Sequence, residues 1–415
     1  MSIARPFDIL SDRLRLGRSS VRAAAWDGLQ LLITNGLVAA LGFVTPLTFV
    51  RFTTPDDYGR FSLIAASVAF LNAVTLPGLN ISLRQAVARG RHGALTETAV
   101  IRMRWACLGV IGLLLLGLWT QRTGDPLTGT LLMTIAPLFP FIYGMDVAVP
   151  FFNGAERFAA MSVLLLIAAA VPSAVVFAVI VATRSASLAT LAYFTTVALI
   201  NLAAFLWVLR RCRTNRVSDP SALAYGRRLT LITSLGTVQS YGDKLVVGNI
   251  LSLQALAQYS VGKLFQQAMT IAWGALHQLS APKLSSRDAA SARRLTRVTL
   301  PIIWGGFIAV GALVIYATPW IVHVVFGSRY ADSATAGRVL TAGLLATIPG
   351  AQFEVMFTST GDEKRLYAQR VSFATLQFFL TAGGAYWFGL TGAVWGTALA
   401  YASNSVAGFV LDRWR

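Results

Sequence analysis

Apolar stretches of about 20 residues recur from one end of this chain to the other, and no other feature of the sequence constrains the fold so tightly. A helix of that length rises about 30 Å, the thickness of a bilayer's hydrocarbon core. The stretches run over 26–50, 61–83, 105–120, 131–152, 161–181 and 188–209, then over 229–251, 256–279, 298–317, 336–358, 371–388 and 390–410. The third is short and the last two nearly meet at Gly389, so the count of twelve holds to within one. Composition agrees: 55% of the 415 residues are hydrophobic and 13% charged. A soluble surface needs about a quarter of the residues charged, and disordered chains are poor in apolar residues. Both classes are therefore excluded, and an all-α polytopic membrane protein is expected.

The formal charge of +18 matters through its distribution. With a cytoplasmic N-terminus, the inside segments are the N-terminal tail, 84–104, 153–160, 210–228, 280–297, 359–370 and the C-terminal tail. They hold 27 of the 35 Lys and Arg residues, against 5 outside (Arg51, Arg60, Arg122, Arg184 and Arg329). Basic residues concentrate in cytoplasmic loops, so both termini are placed inside. The charge is then topogenic, and nucleic acid is dropped as a partner. Residues 1–25 carry Arg5, Arg13, Arg15, Arg18 and Arg22 among leucines. They predict an interfacial amphipathic helix and not a cleaved signal peptide.

The basic stretch 210–228 divides the chain into two six-helix bundles, 26–209 and 229–415. Asp57-Tyr58-Gly59 and Gln258-Tyr259-Ser260 occupy similar places in the two halves. So do Asn153-Gly154-Ala155-Glu156 and Ser359-Thr360-Gly361-Asp362, at nearly the same offset. Such matches suggest a duplicated unit, as in transporters. No enzyme site is visible. His92, His277 and His323 have no metal-ligand spacing, no P-loop occurs, and neither a metal nor a cofactor is expected. Cys107 and Cys212 lie far apart at basic helix ends, where no disulfide is expected. Gly392 and Gly396 read as close helix packing.

Polar side chains inside the spans carry the functional information, because each is costly there unless it meets a cavity or a partner. Tyr259, Lys263, Gln266, Thr270, Trp273 and His277 share one helical face. Thr233, Thr237, Ser240 and Lys244 share another, with Gln239 and Asp243 beside it. Asp27, Gln30 and Thr34 mark the first span. Asp146 and Glu354 sit at matching depths in the two halves and are candidate ion-coupling groups, with Asp243 as a third. Lys244, Lys263, Asp146 and Glu354 are expected to face a hydrated cavity; a structural Asp243–Lys263 ion pair is the competing reading.

The run FVRFTTPDDYGRFSLIAASVAFLNAVTLPGLNISLRQAVARG (49–90) resembles the N-terminal signature of bacterial polysaccharide flippases. SYGDKLVVGNILSLQALAQYSVG (240–262), FGSRYADSATAGRVL (326–340) and the Gly-rich last span extend the likeness over about 20–412. The resemblance implies the six-plus-six plan shared with lipid II flippases and multidrug cation antiporters. It also implies residence in the bacterial inner membrane and transfer of an undecaprenyl-pyrophosphate-linked oligosaccharide to the periplasmic leaflet. The implied partners are that lipid-linked oligosaccharide, membrane lipids, a polysaccharide polymerase with its chain-length machinery, and H⁺ or Na⁺ as coupling ion. Lys244, Lys263, Arg51 and Arg338 are then candidates for the pyrophosphate, and Gln239, Gln266, Tyr259 and Trp273 for the glycan. A cation-coupled multidrug antiporter and a non-transporting membrane scaffold are the alternatives.

Overall fold

The computed structural model describes Gln30, residues 33–285 and residues 289–413, and among them every regular element is a helix. The basic segment 1–25, Asp27 and the side chain of His277 lie outside the described residues. The first half contains α1 (Ile33–Phe52), α2 (Pro55–Leu71), α3 (Gly78–Ala88), α4 (Ala94–Thr123), α5 (Pro126–Ile135), α6 (Ala148–Gly154), α7 (Phe158–Thr183) and α8 (Ala186–Trp207). The second contains α9 (Pro220–Ile250), α10 (Leu253–Ser285), α11 (Ala289–Ile321), α12 (Asp332–Thr360) and α13 (Glu363–Arg413).

Six helices among the described residues are long and apolar enough to cross a membrane, or up to eight if two bent pairs each count as a span. One bent pair is α2 and α3, which meet at 57°. A short 3-10 turn (Asn72–Thr75) and left-handed Leu76 separate them, and Pro77 cannot donate to continue the helix. The other pair breaks by 44° where Pro137 and Pro140 interrupt the run between α5 and α6. The sequence reading treats each of these as one straight span. It also takes 84–104 for a loop, whereas α4 begins at Ala94 and runs 30 residues, leaving only a short turn after α3.

Long helices α9, α10 and α13 do not pass the apolarity test, since they carry the polar stripes. α13 is two arms joined at Gly389, whose φ of 63° and ψ of −144° suit glycine and reverse the chain in one residue. Gly392 lies directly against the Gly384 main chain, so the two arms pack without intervening side chains.

The halves meet where α2 and α3 lie along α9 and α10. At the end expected to face outside, one apolar cluster joins Phe49, Tyr58 and Phe61 of the first half to Val261, Phe265 and Phe326 of the second. At the opposite end the cluster around Phe151 and Phe152 reaches Ala222 of α9, and the cluster around Phe353 and Phe357 lies within the second half.

Between α8 and α9 the chain is held to the turn after α3. The Asn215 side chain donates to Gly90 O (2.8 Å) and accepts from His92 N (3.1 Å). Asp219 caps α9 by accepting from Ala222 N (3.1 Å) and pairs with Arg89 (3.3 Å) and Arg91 (2.9 Å). The Ser221 hydroxyl, donating at 2.6 Å, is the main reason the Asp219 carboxyl is held below the usual carboxylate range. A depressed carboxylate stabilises the fold above its unfolded pKa, and that contribution disappears as pH falls through its folded value. Asp219→Ala is expected to cost about 1 kcal/mol, a cap's usual worth. Its deficit in thermal unfolding should shrink as the detergent solution is acidified.

Candidate functional site

α9 and α10 run antiparallel and bring Asp243 and Lys263 together in the interior of the second half. Lys263 Nζ lies 2.5 Å from Asp243 Oδ2 and donates to Ser240 O at 2.9 Å. The Tyr259 hydroxyl donates to the same carboxylate at 2.7 Å and meets Thr397 Oγ1 at 3.1 Å. Thr397 Oγ1 in turn lies 2.9 Å from Thr381 Oγ1, so both arms of α13 join the network. Asp243, Tyr259 and Lys263 are all buried. Lys244, the next residue on α9, differs: it is half-buried, and its ammonium makes no hydrogen bond or ion pair among the described residues.

Further along the same interior, Arg370 Nε donates to Glu354 Oε1 at 2.6 Å, and Arg370 Nη1 donates to Ile232 O at 3.1 Å. Gln239 donates to Arg370 O (2.9 Å), Gln377 to Gln239 O (2.9 Å) and Gln266 to the Tyr401 hydroxyl (2.8 Å). The buried Oε1 atoms of Gln266, Gln352, Gln369 and Gln377 accept nothing among the described residues. The other sequence candidates lie elsewhere. Trp273 packs edge-on to Phe307 (5.8 Å) in an apolar cluster. Arg51 donates to Val324 O at 2.7 Å, tying α1 to the second half. Arg338 is exposed on α12 and reaches Ile315 O at 3.3 Å.

In the first half, Asp146 stands at the break before α6, half-buried, and its carboxylate accepts no hydrogen bond among the described residues. Its main-chain oxygen accepts from Arg102 Nη1 at 3.0 Å. Arg102 is fully buried and also donates to Asn80 Oδ1 (2.5 Å) and Thr75 O (3.3 Å), fastening both broken spans to α4. Nearby, Tyr143, Tyr193 and Ser173 of the first half and Tyr241 of α9 line a cavity of about 310 Å³. Ser173 and Thr45 share a 3.0 Å hydrogen bond on its wall.

Arg102 and Arg370 are absent from the sequence candidates because both were assigned to basic loops. A signal for Arg102 was present: Ala99, Arg102, Ala106, Gly109, Leu113 and Gly117 continue one buried stripe at helical spacing. The arginine occupies a position that the small residues mark as an interior face.

A family profile described as polysaccharide biosynthesis protein matches residues 26–280, well over half of the chain. The chain belongs to that family. The chain shares its fold with solved transporters of the MOP superfamily. An inward-facing multidrug resistance MATE family transporter superposes with a TM-score of 0.64 at 14% identity, over 92% of this chain and 94% of that one. A MATE crystal structure in complex with MaD3S gives 0.66 at 14% identity, over 93% and 95%. A MOP superfamily transporter from Pyrococcus furiosus, described as having a binding pocket of reversed polarity, gives 0.63 at 14% identity, over 93% and 94%. No curated protein matches significantly. The family is that of polysaccharide biosynthesis proteins, and the fold is one that solved multi-pass membrane transporters adopt.

Proposed function

We propose that this member of the family flips an undecaprenyl-pyrophosphate-linked oligosaccharide from the cytoplasmic to the periplasmic leaflet of a bacterial inner membrane. Twelve spans would do this: α1, the pairs α2–α3 and α5–α6, α4, α7 to α12, and the two arms of α13. They form two six-helix bundles with both termini inside. The observation that carries the reading is the unpartnered, half-buried ammonium of Lys244 on the Thr233–Thr237–Ser240 face of α9. An ammonium held within a membrane interior is costly without an anion, and pyrophosphate is a compact one. The tyrosines around the cavity offer aromatic faces and hydroxyl groups to a glycan. Lys263, already neutralised by Asp243, is a reserve cation that a phosphate could draw off.

A cluster that joins the two halves at one end suits a carrier whose halves rock about a central site. Two of the three carboxylates that a cation antiporter would use are matched by bases, Asp243 by Lys263 and Glu354 by Arg370. Asp146 remains as the group that senses H⁺ or Na⁺, so Asp146→Asn should change the dependence of export on the ion gradient while protein levels hold.

Lys244→Ala is expected to abolish surface polysaccharide in a deletion strain and to leave the lipid-linked unit on the cytoplasmic side, at unchanged protein level. Lys244→Arg should retain part of the activity, because charge counts for more than shape against a dianion. Normal export by Lys244→Ala would remove the residue from the site.

A further inference from the structure

α7 and α8 form an antiparallel hairpin that turns at left-handed Arg184 and the N-cap Ser185. Between the start of α7 and the end of α8 lies an open groove of about 530 Å³, almost wholly apolar. Ala159 and Ala160 face Ala203 and Ala204 across it, and these small side chains are what leave it hollow. Trp207 stands at its end, half exposed, with its ring 5.3 Å from Phe152. The groove is separate from the cavity, since Ala168, Ala169 and Ser173 line the cavity from a different face of α7.

Charge is concentrated at the same end. Arg157 immediately precedes α7, and Arg210 and Arg211 follow α8 in one π-turn. All three are exposed, and none makes a hydrogen bond or an ion pair among the described residues. An apolar trough that ends at a tryptophan and three free guanidinium groups has the polarity of a lipid: chain, interface, phosphate. Tryptophan favours the headgroup boundary, and basic pockets between helices at the cytoplasmic side hold anionic headgroups. We propose that the α7–α8 groove binds an anionic phospholipid of the bilayer, with one acyl chain between the alanines and the phosphate against Arg157, Arg210 and Arg211. The site is distinct from the transport path, and a zwitterionic lipid would lose most of the attraction at its charged end.

The test is native mass spectrometry of the full-length protein titrated with phosphatidylglycerol, phosphatidylethanolamine of the same chains, and a polyprenyl phosphate. Wild type should retain phosphatidylglycerol in preference to the other two. The triple variant Arg157→Gln, Arg210→Gln, Arg211→Gln should weaken that retention by roughly two orders of magnitude at low salt, since each surface cation contributes about fivefold. The corresponding triple Lys variant should keep most of it. Ala203→Trp, which fills the groove and leaves every charge in place, should lose it. Equal retention of phosphatidylglycerol and phosphatidylethanolamine overturns the proposal, as does preference for the polyprenyl phosphate. Undiminished retention by Ala203→Trp does so too. Should the triple Gln variant fail to accumulate, the Lys and Trp variants still decide.

Discussion

Lys263→Ala is expected to deplete the folded protein, whereas its neighbour Lys244 can be removed without that cost. Asp243 and Lys263 are both buried, with side-chain exposures of 0% and 6%, and each is the other's ion partner. Removing one member of such a pair leaves an uncompensated buried charge and costs about 3–5 kcal/mol. Asp243→Ala should therefore be as damaging as Lys263→Ala. Replacing both together, as Asp243→Asn with Lys263→Met, should restore much of the loss, because well-packed neutral side chains often substitute for a buried pair with little penalty. Thermal unfolding in detergent and the amount of protein in the membrane measure this directly. The double variant then separates two roles: if it is folded and still fails to export, Lys263 acts on the cargo as well as on the fold.

Arg102→Ala should be at least as severe. The guanidinium is fully buried and holds Thr75 O and Asp146 O, main-chain acceptors at the two helix breaks, together with Asn80 Oδ1. Each buried acceptor left without a donor costs about 1–3 kcal/mol, so a loss on the order of 3–5 kcal/mol is expected. Arg102→Lys should recover little, because an ammonium lacks the planar fork that reaches three separated oxygens. Arg104, two residues on, is exposed. Arg104→Ala should stay within about 0.5 kcal/mol of wild type, as surface changes usually do. Equal effects of the two substitutions on unfolding would contradict the assignment of Arg102 as the fastener of the bent spans.

The contrast between Arg102 and Arg104 also shows what the amino-acid sequence could and could not reveal. Hydropathy locates apolar runs, so α7 and α8 were legible almost to their ends. It averages over a helix and cannot say which charge at a helix end turns inward, and Arg102 and Arg370 were lost to that averaging. The polar stripes of α9 and α10 were readable as faces, because identity at helical spacing survives in sequence. Their partners were only partly so. Asp243 beside Lys263 follows from two antiparallel neighbours, but the link through Tyr259 to Thr397 requires the two arms of α13 to fold back at Gly389. Trp273 shares the polar face by position, and its ring nonetheless packs against Phe307, since a large side chain can reach around the helix to apolar neighbours. The bends at Pro77 and Pro140 leave hydropathy unchanged and so read as straight spans.

In the proposed function a cationic, hydroxyl-rich interior carries an anionic lipid-linked glycan across the bilayer. The most direct test is flipping by the purified protein in sealed liposomes, with a polyprenyl-pyrophosphate oligosaccharide in the leaflet at the protein's cytoplasmic side. Exposure of the glycan to a glycosidase confined to the opposite side would be followed under an imposed H⁺ or Na⁺ gradient. Wild type should expose the glycan within the assay, Lys244→Arg should do so more slowly, and Lys244→Ala should match protein-free liposomes. Absence of gradient-stimulated exposure by wild type, together with uptake of a cationic dye by the same liposomes, would contradict the account and favour a multidrug antiporter.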